Sequence, residues 1–169
     1  MTAIAIIQDE HRASTSVIEG LRHMLVEVAA GRIPVDHALL GAMFHYIETF
    51  PEKLHHPKED QYLFKRLRER TDEVSAELDE LERQHVRDHQ LVAELAAMVQ
   101  TLASSKDAPA ELAATRALEP AVQAYASFLW EHMGREEGVI LPAAQRHLND
   151  ADWAEIDAAF RKNRDPQFG

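Results

Sequence analysis

The chain has 169 residues, 46% of them hydrophobic and 28% charged, a balance that suits one soluble domain large enough to bury a substantial core. It has no cysteine, which excludes disulfides, thiolate nucleophiles, cysteine-type zinc sites and iron–sulfur clusters, so any metal must be held by nitrogen and oxygen. A formal net charge of −11, with no dense lysine and arginine cluster to offset it, argues against a nucleic-acid partner.

Met1 to Ile7 are mildly apolar but carry no basic leader, and the run stops at Gln8, Asp9 and Glu10. It is too short for a signal peptide or a membrane span, so a cytoplasmic chain with no membrane partner is expected. Apolar residues recur at spacings of three and four through four long stretches, which predicts an all-α protein. The first helix is expected from about Thr2 to Ala30, stopped by Gly31 and reinforced by Pro34, and the second from near Asp36 to near Arg70. A third from about Asp72 to Ser104 precedes the loop-like run Ser104 to Pro109. The fourth runs from soon after Pro109 to about Leu148, with a bend expected at Pro120. Asn149 and Asp150 leave room for a short terminal helix containing Trp153, Ile156 and Phe160. Short links between long helices predict an antiparallel up-down four-helix bundle with a short extra C-terminal helix, a single domain over residues 1–169.

The inward stripes carry unusual residues. In the first helix the stripe is Ile7, His11, Ser14, Ile18, Leu21, Leu25 and Val28. In the second, Leu40, Phe44 and Ile47 lead about three turns on to His55 and then Glu59. In the third, Leu78, Leu81 and His85 are followed by His89 or its neighbour, then Val92, Leu95, Val99 and Leu102. In the fourth, Val122, Tyr125, Leu129, His132, Glu136, Val139 and Ala143 place a histidine and a carboxylate in consecutive layers. Pro51 and Pro57 each remove a backbone donor, so a kink or a broken segment is expected in the second helix. His56 is an alternative to His55, but His55-x3-Glu59-Asp60 is the segment that matches His132-x3-Glu136-Glu137 in the other half of the chain.

A single inward histidine is ordinarily a hydrogen-bonded core residue, and a His–Glu pair one turn apart is ordinarily solvated. Four helices that place such groups on apolar stripes together are a different matter, because an unpaired ionised carboxylate in a core is costly and a cation at the centre removes that cost. Between the two fourth-helix glutamates, a four-residue step from His132 stays within about 40° of its direction while a five-residue step swings about 140° away, favouring Glu136. Glu137 and Asp60 are then solvated or placed to orient an imidazole. His23, His37, His45, His56 and His147 share no comparable pattern and are read as surface or core residues.

With these positions in hand, the sequence resembles the hemerythrin-like family of cation-binding bundles. The family motif is a histidine near the start of the first helix, His-x3-Glu in the second, His-x3-His in the third, and a histidine followed four or five residues later by a carboxylate in the fourth. It falls here on His11, His55 and Glu59, His85 and His89, and His132 with Glu136 or Glu137. The resemblance implies two non-heme iron ions, bridged by carboxylates and an oxo or hydroxo group, that bind dioxygen or another small diatomic or peroxide ligand. Oxygen-carrying members have the fourth-helix carboxylate five residues after the histidine, whereas iron-repair and iron-sensing relatives have glutamate four residues after it. The expected function is dioxygen binding, sensing or storage. The alternatives are action on nitric oxide or peroxide or iron donation for cluster repair, and, more remotely, a metal-stabilised bundle that only binds partners.

Overall fold

In the computed structural model, several helix ends fall where a side chain caps them. The structure describes residues 2–163; Met1 and 164–169, which the expected single domain includes, lie outside the described residues. The elements are α1 (Thr2–Ala29), α2 (His37–Phe50), the π-helical turn π1 (Pro51–His55), α3 (His56–Lys58), π2 (Glu59–Phe64), α4 (Lys65–Arg70), α5 (Ser75–Ala103), α6 (Ala108–Arg135), π3 (Glu136–Ile140), α7 (Leu141–His147) and α8 (Asp150–Phe160). No strand occurs among the described residues, so the all-α class is seen. No helix among them is long and apolar enough to cross a membrane.

Gly31 ends α1 with φ +71°, the left-handed conformation that costs glycine nothing. Asp36 caps α2 by accepting from the Leu39 amide at 2.9 Å, and Asp107 caps α6 by accepting from the Ala110 amide at 2.9 Å. Asn149 and Asp152 form a reciprocal capping box at the start of α8. The third long helix starts at Ser75, later than about Asp72, because 71–74 closes into a turn in which the Thr71 hydroxyl accepts from the Glu73 amide. Helix α6 continues through the exposed Pro120, and the interruption in this stretch lies instead at Glu136.

The three π turns decide where the site forms. A π turn bonds residue i to i+5 and so takes in one residue more than an α turn, which rotates everything beyond it. Pro51 and Pro57 supply the cause in the second stretch, since neither can donate to the carbonyl four residues back. In the fourth stretch Pro142 cannot donate to Gly138, itself a weak helix former. One stripe residue moves as a result: the expected inward Val139 is 39% exposed and Ile140 is fully buried.

Helix α1 packs against α2 and α6, and α5 packs against the same two. Their apolar faces form two cores rather than one. The first runs through Ile18, Leu21, Leu25, Phe44, Phe50, Val92, Leu95, Val122 and Tyr125. The second gathers Ile7, Leu63, Phe64, Leu67, Leu78, Leu81 and Ile140, and against these α8 buries Trp153, Ile156 and Phe160. Between the two cores lies a polar layer of His11, His55, His56, Glu59, Asp88, His132 and Glu136, every one buried.

Candidate metal centre

His11 comes from α1, His55 ends π1, His56 opens α3, Glu59 opens π2, His85 lies on α5, His132 on α6, and Glu136 opens π3. The three interrupted turns therefore supply His55, Glu59 and Glu136. Two groups of four have ligand atoms all within 4.8 Å of one another: His56, Glu59, His85 and His132, and His11, His55, Glu59 and Glu136.

Both carboxylates reach both groups. Glu59 Oε1 lies 3.2 Å from His55 Nε2 and its Oε2 3.6 Å from His85 Nε2. Glu136 Oε2 lies 3.2 Å from His11 Nε2, and its Oε1 lies 3.3 Å from His132 Nε2 and 3.8 Å from His85 Nε2. His11 Nε2 and His55 Nε2 face each other at 3.2 Å, about the spacing of two nitrogens that share one cation at right angles with bonds near 2.1 Å.

Outer partners set which nitrogen points inward. His11 Nδ1 donates to Glu137 at 2.8 Å, His55 Nδ1 to Glu10 at 2.7 Å, His85 Nδ1 to Asp60 at 2.9 Å and His132 Nδ1 to the amide oxygen of Gln84 at 3.0 Å. His56 Nδ1 has Asp88 at 3.6 Å. An imidazole that donates from Nδ1 presents Nε2 as its ligand atom, the arrangement by which metal-bound histidines are oriented. Rings wall the layer: His56 stacks on His85, Phe64 on the far side of His85, and Phe128 on His132.

The electrostatics show what the cluster lacks. Burial opposes charge on His11, His55 and His85, yet the carboxylates around them prevail and push the three up to about 9, 10 and 12. His56 goes the other way, held well below the usual range by burial and by the neighbouring His85 and His132. Burial favours the neutral acid at Glu136, but His132, His11 and His85 hold it well below the carboxylate range, and Glu59 is likewise lowered. The four carboxylate oxygens of Glu59 and Glu136, with Nε2 of His85 and His132, are buried and make no hydrogen bond. Buried polar atoms in that number require a partner, and converging nitrogen and oxygen donors suit one or more divalent cations.

Of the residues expected at this centre, the structure brings His11, His55, Glu59, His85, His132 and Glu136 together and leaves His89 out. His89 is exposed, because the inward face of α5 between Leu81 and Val92 is taken by Gln84, His85 and Asp88. His56 occupies the position that His89 was expected to fill. Adjacent residues on an α-helix diverge by about 100°, and here the widened turn π1 ends at His55 and α3 starts at His56, so both rings reach the cluster. The prolines on either side were the signal that could have found it. His23, His37 and His45 are exposed, and His147 bonds Glu73 at 2.7 Å, all outside the cluster. Tyr125 belongs to the first core.

No curated protein and no solved structure gives a significant match. The family model described as the hemerythrin HHE cation binding domain matches residues 2–144, a span that holds all seven inward-facing groups and stops short of α8, and the chain belongs to that family.

Proposed function

We propose that this domain is a non-heme di-iron protein that binds dioxygen, for carriage, sensing or storage, in an antiparallel up-down four-helix bundle with α8 as a short extra helix, one domain over residues 1–169. The observation that carries the reading is the division of the cluster into a group with three imidazoles, His56, His85 and His132, and a group with two, His11 and His55. Two ions would draw on unequal sets, His56, His85 and His132 for one and His11 and His55 for the other, with Glu59 and Glu136 within reach of both groups, and the smaller set would leave room for a small ligand.

Iron held by these residues would supply the redox chemistry of reversible dioxygen binding. The chain's own part is to fix the imidazoles through their Nδ1 partners and to keep bulk water out with Leu81, Val92, Leu129 and the phenyl rings. A cleft of about 430 Å³ lined by His11, Trp130, Met133, Gly134 and Glu137 offers a small ligand an approach to the two-imidazole side.

Metal analysis after anaerobic reconstitution is expected to give about two irons per chain, and reduced protein exposed to air is expected to develop a visible band that disappears on degassing. Well under two irons overturns the di-iron reading. One observation favours a second reading, in which the centre acts on nitric oxide or peroxide or donates iron: the inward carboxylate is Glu136, four residues after His132, while Glu137 sits at the rim, 41% exposed. Irreversible bleaching with turnover of either oxidant selects it over oxygen carriage.

A further inference from the structure

Helix α8 lies beyond the matched residues 2–144, yet it is built into the site. Phe160, fully buried, turns its ring edge-on to His55 with centroids 6.3 Å apart. The turn that follows delivers Asn163, whose amide nitrogen donates to Glu10 Oε1 at 2.8 Å. The other oxygen of Glu10 accepts from His55 Nδ1 at 2.7 Å. A buried carboxylate thus uses one oxygen on an imidazole of the cluster and the other on the end of the C-terminal helix.

Only the amide nitrogen of an asparagine can donate to a carboxylate, so the orientation of Asn163 is fixed by chemistry. Its oxygen is buried and makes no hydrogen bond, a cost that a purely space-filling residue has no reason to carry. Among the described residues, three carboxylates lie within hydrogen-bond distance of an Nδ1 in the cluster. Glu137 and Asp60 have side chains 41% and 39% exposed, where water can hold them, whereas the Glu10 side chain is 7% exposed. With water excluded, the second donor that keeps Glu10 from turning away from His55 must come from protein, and Asn163 is that donor.

We propose that Asn163 is a positioning residue for the metal centre: it holds Glu10 against His55, so that α8 sets the orientation and donor strength of one imidazole in the two-imidazole group. This rests on the reading of His55 as a metal-holding residue. A carboxylate on Nδ1–H fixes the ring and strengthens the opposite nitrogen as a ligand, and loss of such an outer partner weakens metal binding by about 10–100-fold. Asn163 acts one bond further out, and its effect is confined to the half of the cluster that His55 serves.

The test compares full-length Asn163→Leu, Asn163→Asp and Asn163→Gln with the wild-type chain in two measurements. In anaerobic ferrous-iron titrations against a competing chelator, Asn163→Leu is expected to weaken one of two binding steps roughly tenfold and leave the other unchanged. Asn163→Asp, which sets a second carboxylate against Glu10, is expected to weaken that step more, and Asn163→Gln, which keeps the amide, to restore part of it. In metal-free protein the His55 Nδ1 proton is expected to be in slow exchange and visible by NMR in the wild type, and to broaden or vanish in Asn163→Leu. Equal weakening of both steps means a general loosening of the fold and overturns the proposal, as does an unchanged titration with an unchanged His55 signal. A wild-type chain that binds no ferrous iron overturns the di-iron reading instead, and the metal-free His55 signal then decides on Asn163 alone.

Discussion

His56 and His85 stack face to face, their ring centroids 4.3 Å apart and their planes inclined by 17°, and the pair joins α3 to α5 across one half of the metal-holding cluster. Stacking keeps both Nε2 atoms directed at the same space. Removing one ring therefore takes away a ligand atom and also the wall that orients its neighbour. His56→Ala is expected to retain about half of the wild-type metal content or less, while His89→Ala, altered at an exposed position, retains all of it. Metal analysis of the two purified variants decides, and equal iron in both contradicts the placement of His56.

Glu136 and Glu137 are adjacent but stand in different relations to the cluster, one between the two imidazole groups and the other behind His11. Glu136→Gln is expected to strip metal from both groups, because its two oxygens face both. Glu137→Gln is expected to keep the stoichiometry and bind about 10–100-fold more weakly. Chelator-competition titrations separate the two effects; a Glu137→Gln protein that loses half its metal outright would exchange the two roles.

Without metal, the imidazoles carry the positive charge that the buried carboxylates require. The folded values of His11 and His55, about 9 and 10, lie above the ordinary 6.5. Their contribution to stability is complete below 6.5 and is lost as pH rises through 9 and 10. Denaturant melts of the metal-free protein are expected to show lower stability at alkaline pH than at neutral pH. Metal displaces these protons, so loading near neutral pH is expected to release protons into a weakly buffered solution. No release on loading would show that the imidazoles are already neutral.

The carboxylate of Asp157, on α8, accepts from the backbone amides of Thr2 at 3.1 Å and Ala3 at 2.6 Å, capping α1 from a distant part of the chain. Asp157→Ala is expected to cost roughly 0.5–2 kcal/mol, the usual worth of an N-cap, in urea melts. Partial burial raises the acid's value, but the two amides outweigh it and keep it below 3.8. Its contribution is present above 3.8 and fades as pH falls through the lowered folded value, so the wild-type and Ala variants are expected to converge in acid. A difference that persists there would point to packing rather than capping.

Gly31→Ala isolates a backbone effect, because no atom lies within 4 Å of where the added Cβ would sit while φ stays at +71°. A loss of about 1–2 kcal/mol in thermal or urea melts is expected. No change would mean that the end of α1 has rearranged.

The long helices were legible because their stripes and caps obey local rules: Asp36, Gly31, Asp107 and Asn149 each act within a turn of their own position. His11, His85 and His132 were likewise legible as inward residues, since each sits in an uninterrupted α-helix where counting by three and four holds. The register failed where the turns widen. Through π1 a straight count leads to His55 and leaves His56 off the stripe, and through π3 it points Val139 rather than Ile140 inward. On α5 the stripe left His89 or its neighbour open, and the neighbour Asp88 takes the inward position together with Gln84, two polar residues that an apolar pattern does not single out. The link from Asn163 to Glu10 spans 153 residues, and no local pattern encodes it.

The charged layer parts the interior into two oily compartments, Leu25, Phe44 and Val122 on one side and Phe64, Leu78 and Phe160 on the other. A partition of charged groups, several of whose atoms make no hydrogen bond, is a weaker joint than an apolar core, and an ion bound across it would tie the compartments into one melting unit. Bound metal would then govern cooperativity as well as chemistry. The loaded protein should unfold in a single sharp transition, and the stripped protein should come apart in two, one compartment ahead of the other.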